Sequence, residues 1–410
     1  MKVLLTSSLY PTPQTPMVVG GAEIFARRFA EGLAESGDQV EVVRTATSDD
    51  RRPEAHNGID IYTAPVQNVY LPFNEPKNVA LRSIWHAIED WQIQAPMIEE
   101  RIHAFKPDII HSNNLSGLTT AIWRAGAQLG VPVLHTIHDY YLTCPRCSRF
   151  AKGKSCEHTC TSCALLTYHR KRATHWLSAV VGVSARVLSI HTDLGLFADT
   201  PIRTVIHNAS TAPPSAPHLR PLCTGEVTFG FIGRITEEKG IENLMRALAT
   251  LPRERFKTLI AGRVSDNEQQ RLRAIAPNAR VEFLGFVSPD DFYRAIDVVI
   301  APSIWHDPGP LVVADAKAAG RPLLGTRFGG MPEAIVDGVT GWLTDADPAS
   351  LARSMLSIAA DPHKIVEISE RLASDNNRWM FPDVVAAYRK LYEQLRETQP
   401  RRDYARRVTH

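Results

Sequence analysis

Residues 304–330, IWHDPGPLVVADAKAAGRPLLGTRFGG, place an acid, a forced turn and a helix start in one short span. Pro308, Gly309 and Pro310 bend the backbone directly after Asp307, and Leu311 to Ala319 then supplies good helix formers up to Gly320. The apolar runs on either side, Val298 to Ala301 and Leu323 to Thr326, read as buried strands. A helix starting in such a place presents unpaired backbone N–H groups and a positive dipole end, both suited to a diphosphate. Asp307 on the loop and Asp315 on the helix are placed to accept from sugar hydroxyls. The plainer alternative is an N-capping acid and a solvated helix acid.

The pattern recurs on either side. Upstream, the strand Val227 to Ile232 runs into Gly233-Arg234 and Glu237-Glu238-Lys239-Gly240, and Ile241, Leu244, Met245 and Leu248 continue as a helix. Arg234 and Lys239 on this turn are expected to aim at one anion, the guanidinium forking two oxygens and the ammonium acting as a point charge. The alternative is a surface turn of salt-bridged charges. Strands over Thr258 to Ala261 and Val281 to Leu284, a Gly285-Phe286 turn and a helix over Pro289 to Ala295 fill the interval to the opening stretch.

The N-terminal half repeats the alternation. A strand at Val3 to Thr6 leads to Gly20-Gly21, a helix carried by Ala22, Phe25, Phe29 and Leu33 to a Ser36-Gly37 stop, and a strand from Gln39 to Arg44. The GxGxxG spacing of a dinucleotide fingerprint is absent. Residues 45–80 read as irregular, with a short β excursion around Ile59 to Tyr62. A helix broken at Pro96 follows, then a strand over Ile109 to Ser112, a helix over Leu118 to Gln128 and a strand over Val131 to Ile137. That strand ends on His138-Asp139, which a parallel sheet puts at its carboxyl edge, where ligands bind. A basic helix to about Leu177, strands over Ala179 to Val183 and Arg203 to Ile206, and a helix between them complete a first domain, residues 1–208. Four prolines make 209–225 a linker. The second domain covers 226–378, a final amphipathic helix 379–398, and 399–410 a tail.

At 410 residues two domains are expected, and 44% apolar residues with a formal net charge of +2 describe a globular chain rather than a dedicated nucleic-acid binder. No run of about 18 apolar residues exists to span a bilayer, and the opening reads as a buried strand rather than a signal peptide. Cytoplasmic residence is the expectation. The basic, partly apolar stretch Leu165 to Trp176 offers a reversible, peripheral contact with an anionic inner membrane face, against the plainer reading of a solvated helix.

Five of the six cysteines fall in one loop, 144–163, as Cys144-x2-Cys147-x8-Cys156-x3-Cys160-x2-Cys163. Two CxxC pairs and one extra thiol suit a structural zinc. Free thiols on a loop and redox chemistry are the alternatives.

Together these residues resemble the retaining family 4 glycosyltransferases of the GT-B fold. The resemblance rests on Gly20-Gly21, His138-Asp139, FIGRITEEKG at 231–240, FLGFVSPDDFYRAIDVVIAPS at 283–303, and the GPLVVADAKAAGRP and GGMPEAIVDGVTGWL runs. It implies two Rossmann-like, doubly wound α/β domains facing across a cleft, with a nucleotide-diphosphate sugar on the second, the acceptor on the first, and a last helix crossing back. By position, Arg234 and Lys239 would stabilise the leaving diphosphate, and Asp307 and His138 would hold the transferred sugar. Gly309, Pro310, Leu311, Val312, Asp315 and Phe286 would bind the donor, with Gly20 and Gly21 near phosphate or acceptor. The implied reaction is retaining transfer of a hexose to a hydroxyl of a saccharide or lipid-linked acceptor, in polysaccharide or glycoconjugate synthesis, with no metal required for catalysis.

One departure stands out. The family has two Glu residues where this chain has Asp307 and Asp315, so each carboxylate is shorter by one C–C bond of about 1.5 Å. His306 is placed to compensate. Rival readings are a dehydrogenase or epimerase, weakened by the missing glycine fingerprint, and a non-catalytic sugar-nucleotide or zinc-dependent interaction protein.

Overall fold

The computed structural model describes residues 1–13, 20–45, 54–71, 78–92, 95–210, 226–375 and 380–398. Most of the expected linker and the whole tail lie outside the described residues. The chain divides into two compact units. The first takes residues 1–149 and 157–207 with the C-terminal segment from Phe381, and the second takes 150–156 and 208–380.

The strands of the chain's first half are β1 (Lys2–Thr6), β2 (Gln39–Thr45), β3 (Glu54–His56), β4 (Ile59–Ala64), β5 (Ile109–Ser112) and β6 (Val133–Ile137), followed by the two-stranded hairpin β7 (Phe150–Ala151) and β8 (Lys154–Ser155), then β9 (Ala179–Gly182) and β10 (Ile202–Val205). Among the described residues the first unit's sheet runs β10-β9-β6-β5-β1-β2-β4-β3, with all neighbours parallel except β3 and β4. β5, β6 and β9 are buried at every position, as strands covered on both faces must be. The short excursion expected near Ile59 is in fact a strand of this sheet, in register with β2 from Glu41 to Thr45. Its Ile-Asp-Ile-Tyr alternation is brief and set among prolines, which conceals it.

The last helix, Phe381–Thr398, belongs to the first unit. It approaches closely at Gly32, where a Cβ would lie 2.8 Å from Val385 Cγ2. Its buried tyrosines carry polar tips that need partners. The Tyr392 hydroxyl is 2.6 Å from His111 Nδ1 and the Tyr388 hydroxyl 3.0 Å from Thr136 Oγ1. Arg389 reaches Asp38 at 2.9 Å.

The second unit's strands are β11 (Val227–Ile232), β12 (Phe256–Ala261), β13 (Val281–Gly285), β14 (Val298–Ala301), β15 (Leu323–Thr326) and β16 (Gly341–Thr344), in the order β13-β12-β11-β14-β15-β16, all parallel. Alternate residues feed two cores, one on each face of the sheet. Val298 and Ile300 join Phe229, Leu244 and Met355, while Val299 and Ala301 join Phe292, Val313 and Met331. Helices of this unit that were not expected include Asp266–Ile275, Pro348–Ala360 and Pro362–Ser374. The first buries Leu272 alone, so it shows no apolar stripe to read. Asp347, which closes the Asp345-Ala346-Asp347 run, caps the helix Pro348–Ala360 by accepting from the Ser350 amide at 2.9 Å.

Candidate active site

In each sheet the crossovers reverse direction at one pair of strands, and the carboxyl ends there flank a crevice. In the second unit that pair is β11 and β14. Gly233, Arg234 and Lys239 follow β11, and Ser303 to Asp307 follow β14, so the parallel sheet delivers both groups to one edge.

Two glycines shape this edge. Gly240 lies at φ +74°, and a Cβ there would stand 1.8 Å from the Pro302 carbonyl oxygen. Gly329 lies at φ +61°, where a Cβ would stand 2.2 Å from the Asp307 carbonyl oxygen. Both positions bring the β11 and β15 loops against the β14 loop, which no side chain would permit. Ile304 N–H donates to Glu238 O at 3.0 Å and Gly330 N–H to Asp307 O at 3.0 Å, which completes the lacing.

Within it, Lys239 Nζ forms an ion pair with the Asp307 carboxylate and stands 5.5 Å from the centre of the Trp305 ring. Asp307 is 5% exposed. A carboxylate so far from water needs a cation, and the nearby lysine supplies it. Arg234, half exposed, pairs with Glu238 at 3.5 Å. Each of the two cations meets a carboxylate of the chain itself.

The helix Leu311–Ala318 starts at Pro310 with no side-chain cap, so its first-turn amides are not closed off by a side chain. Asp315 is on this helix, buried, and accepts from Ser210 Oγ at 2.9 Å. Asn208 Nδ2 donates to Gly309 O at 2.8 Å. Asn208 and Ser210 come from what the sequence presents as the end of one domain and the start of a linker, and no motif marks them. Phe286, 84% exposed, follows β13 at the same edge. His306 lies directly before Asp307 on the same loop. Its ring packs on Phe328 and its Nδ1 accepts from Gly329 N–H at 3.4 Å, bracing the turn. The hairpin β7–β8 also lies here: Ser155 Oγ accepts from His306 N–H at 3.1 Å, and Gly153 stands beside Glu237.

In the first unit the reversal falls between β1 and β5. His138, half-buried, follows β6, with Nε2 3.0 Å from Asn113 Oδ1 and its ring 4.9 Å from that of Phe25. Burial keeps its imidazole neutral, down to about 3. Asp139 is raised to about 6 by burial, against hydrogen bonds from Tyr141 N–H and Asn114 Nδ2. Asn113 and Asn114 fix both groups; the sequence gives them no signal beyond following a strand. Gly20 precedes the helix Gly21–Glu35, and its N–H donates to Glu23 at 2.7 Å, which satisfies one amide of that helix start.

The thiols spread over both units. Cys156 groups with the second, and the other four belong to the first. Cys163 hydrogen-bonds to both Cys144 and Cys160, whereas Cys147 Sγ points to Pro145 O at 3.9 Å. Among the described residues no group of three or more His, Cys, Asp or Glu side chains is placed to hold a metal ion. The basic stretch is also less solvated than its composition suggests. Arg170 is fully buried, 3.7 Å from Asp90 and 4.1 Å from the centre of the Tyr141 ring, while Lys171 and Arg172 are exposed.

Comparison with known proteins agrees with this architecture. Residues 20–209 match the glycosyl transferase 4-like domain and residues 226–361 the glycosyl transferases group 1 domain. An uncharacterized 42.6 kDa protein in the cps region of Klebsiella pneumoniae is 32% identical over 335 residues, 81% of this chain and 87% of that protein. Sucrose-phosphate synthase from Thermosynechococcus elongatus superposes with a TM-score of 0.71 at 20% identity, over 97% of this chain and 99% of that one. Anabaena HepE in complex with UDP-glucose gives 0.65 at 18% identity, over 96% and 100%. The likeness to both structures concerns the fold, GT-B, with two parallel-sheet Rossmann-like domains. The domain matches and the Klebsiella relative, set beside the laced β11–β14 edge, show that the chain belongs to the group 1, family 4-like glycosyltransferases, enzymes that move a sugar from a nucleotide-sugar donor.

Proposed function

We propose that the second unit binds the diphosphate of a nucleotide sugar, UDP-glucose being the first candidate because HepE binds it, and that transfer of the hexose retains its configuration. The observation that supports this reading is the Lys239–Asp307 pair on the edge where β11 and β14 diverge. An arriving diphosphate competes for the ammonium, and Asp307, released from its partner, accepts from hydroxyls of the sugar. Charge that builds on the departing diphosphate is met by Lys239, by Arg234 once it turns from Glu238, and by the amides after Pro310. Asp315 takes the ribose hydroxyls, Gly309 to Val312 the phosphates, and Phe286 the base side of the donor. His138 is assigned to the transferred sugar. Being neutral, it offers a hydrogen bond rather than a charge. Gly20 and Gly21 are assigned to the acceptor side.

The acceptor is a hydroxyl of a saccharide or lipid-linked saccharide, and the cps location of the Klebsiella relative supports a role in polysaccharide synthesis. Exposed residues of the first unit support the lipid-linked version: Trp91, Leu165 and Tyr168 are exposed apolar side chains, and Tyr168, Lys171 and Arg172 line a groove of about 780 Å³. Among the described residues no helix is long and apolar enough to cross a membrane, so the contact proposed is peripheral.

The test is nucleoside diphosphate release from a panel of nucleotide sugars, with water as acceptor. A live transferase releases diphosphate from one donor in preference to the others. A chain that is stabilised by nucleotide yet releases none is the non-catalytic binder instead.

A further inference from the structure

Residues 150–156 come from the chain's first half yet group with the second unit, and they form the hairpin β7–β8. Phe150, buried, pairs with Ser155, and Ala151 with Lys154, which leaves Lys152 and Gly153 as a two-residue tip. Both tip residues have positive φ, +52° and +74°, as a type I′ turn requires. Asn or Asp fills the first place of such a turn easily, whereas a lysine there is strained. The hairpin seats on two loops of the β11–β14 edge. Ser155 Oγ accepts from His306 N–H at 3.1 Å, one residue before Asp307, and a Cβ on Gly153 would stand 3.1 Å from Glu237 Oε1, two residues before Lys239. Each lysine is the chain neighbour of one of these contacts.

Positive charge at this edge is scarce without the hairpin. Residues 233–240 and 302–310 carry two cations, Arg234 and Lys239, against three acids, Glu237, Glu238 and Asp307, a net charge of −1 with His306 counted as neutral. Both cations are paired with carboxylates. Lys152 and Lys154 are exposed, and among the described residues neither ammonium meets a carboxylate. Adding them turns the balance to +1. We propose, on the reading that the donor diphosphate sits at the β11–β14 edge, that the hairpin is a third element of that site, with Lys152 and Lys154 supplying the unpaired positive charge that draws the diphosphate in. No direct contact is needed. At a separation of about one Debye length, roughly 8 Å at physiological ionic strength, two lysines acting on a dianion through water strengthen binding about fourfold; at about 0.01 M salt, where screening is weak, the factor is about tenfold. The diphosphate then meets Lys239 and Arg234 as they leave their acids.

The experiment is calorimetric titration of the full chain with UDP and with inorganic pyrophosphate, which carries the charge without a base, at about 0.01, 0.15 and 1 M salt. Wild type is set beside Lys152→Asn/Lys154→Gln and Lys239→Ala. Asparagine suits the tip better than lysine, so the double variant is expected to keep or gain thermal stability while it loses affinity for both probes, about fourfold at the middle salt, about tenfold at the lowest and almost nothing at the highest. Lys154→Gln alone leaves the tip untouched and is expected to lose about twofold at the middle salt and about threefold at the lowest, which decides the matter if the double variant does not fold. Affinities equal to wild type at the lowest salt, with both probes weakened by Lys239→Ala, overturn the role of the hairpin and leave the donor assignment standing. A loss that persists at about 1 M salt reports packing rather than charge and overturns it as well. If wild type binds neither probe, or Lys239→Ala binds both as wild type does, the donor assignment fails and the role of the hairpin fails with it.

Discussion

Replacing Lys239 by alanine separates two consequences that the geometry predicts together. Asp307 loses its cation while its side chain is 7% exposed, and Lys239 itself is 22% exposed. Deleting one partner of a fully buried pair costs about 3–5 kcal/mol; partial access of water here discounts that to about 1–2 kcal/mol, a fall in Tm of a few degrees. The catalytic loss is larger. Removing a group that meets charge only as the leaving group departs lowers turnover by about a hundredfold to a thousandfold. Asp307→Asn keeps the shape and leaves an ammonium that reaches water, so its stability cost is expected to be smaller than that of Lys239→Ala. The assay is diphosphate release from UDP-glucose with and without acceptor, beside thermal unfolding of each variant and the double variant. A Lys239→Ala chain that is folded and within about threefold of wild-type kcat/KM would refute the leaving-group role.

Gly240→Ala and Gly338→Ala both put a side chain at positive φ, yet only the first meets a neighbour, the Pro302 carbonyl. Chemical denaturation should show a loss of about 1 kcal/mol for Gly338→Ala and about 3 kcal/mol for Gly240→Ala; equal losses would mean that the close approach is relieved cheaply. Burial keeps His111, His135, His138 and His191 neutral, with His135 down to about 3 and His191 to about 4. Because their folded values lie below the unfolded one, the unfolded chain takes up more protons below about pH 6.5 and stability is lost as pH falls from there. Asp139, raised to about 6, and Glu89, also raised by burial, act in the opposite sense, but His86, lowered to about 4 by burial, joins the other histidines, so two groups stand against five. Tm is therefore expected to drop between about pH 7 and 5, and a flat or rising profile would contradict these assignments. Tyr392→Phe leaves His111 Nδ1 without its 2.6 Å partner in a buried place, with an expected cost of about 1–3 kcal/mol by urea titration.

The alternation of apolar runs with glycine-ended helices was enough to read most strands of both sheets, because buried parallel strands such as Val298–Ala301 and Leu323–Thr326 stand out from their surroundings. Polar helices such as Asp266–Ile275 escaped, since one buried leucine carries no period. At the site, Asp307 and Lys239 were legible as charges beside turns, but their pairing was not: sequence spacing does not reveal which carboxylate a lysine meets across 68 residues. Asn208, Ser210 and Ser155 were invisible for the same reason. Each is an ordinary polar residue whose importance comes from the chain returning to Gly309, Asp315 or His306.

A crystal structure of the chain soaked with UDP-glucose tests the central claim most directly. The account predicts the diphosphate at the β11–β14 edge, Lys239 Nζ moved from Asp307 to a phosphate oxygen, and Asp307 facing the hexose hydroxyls. A diphosphate bound elsewhere, with the Lys239–Asp307 pair intact, would contradict it.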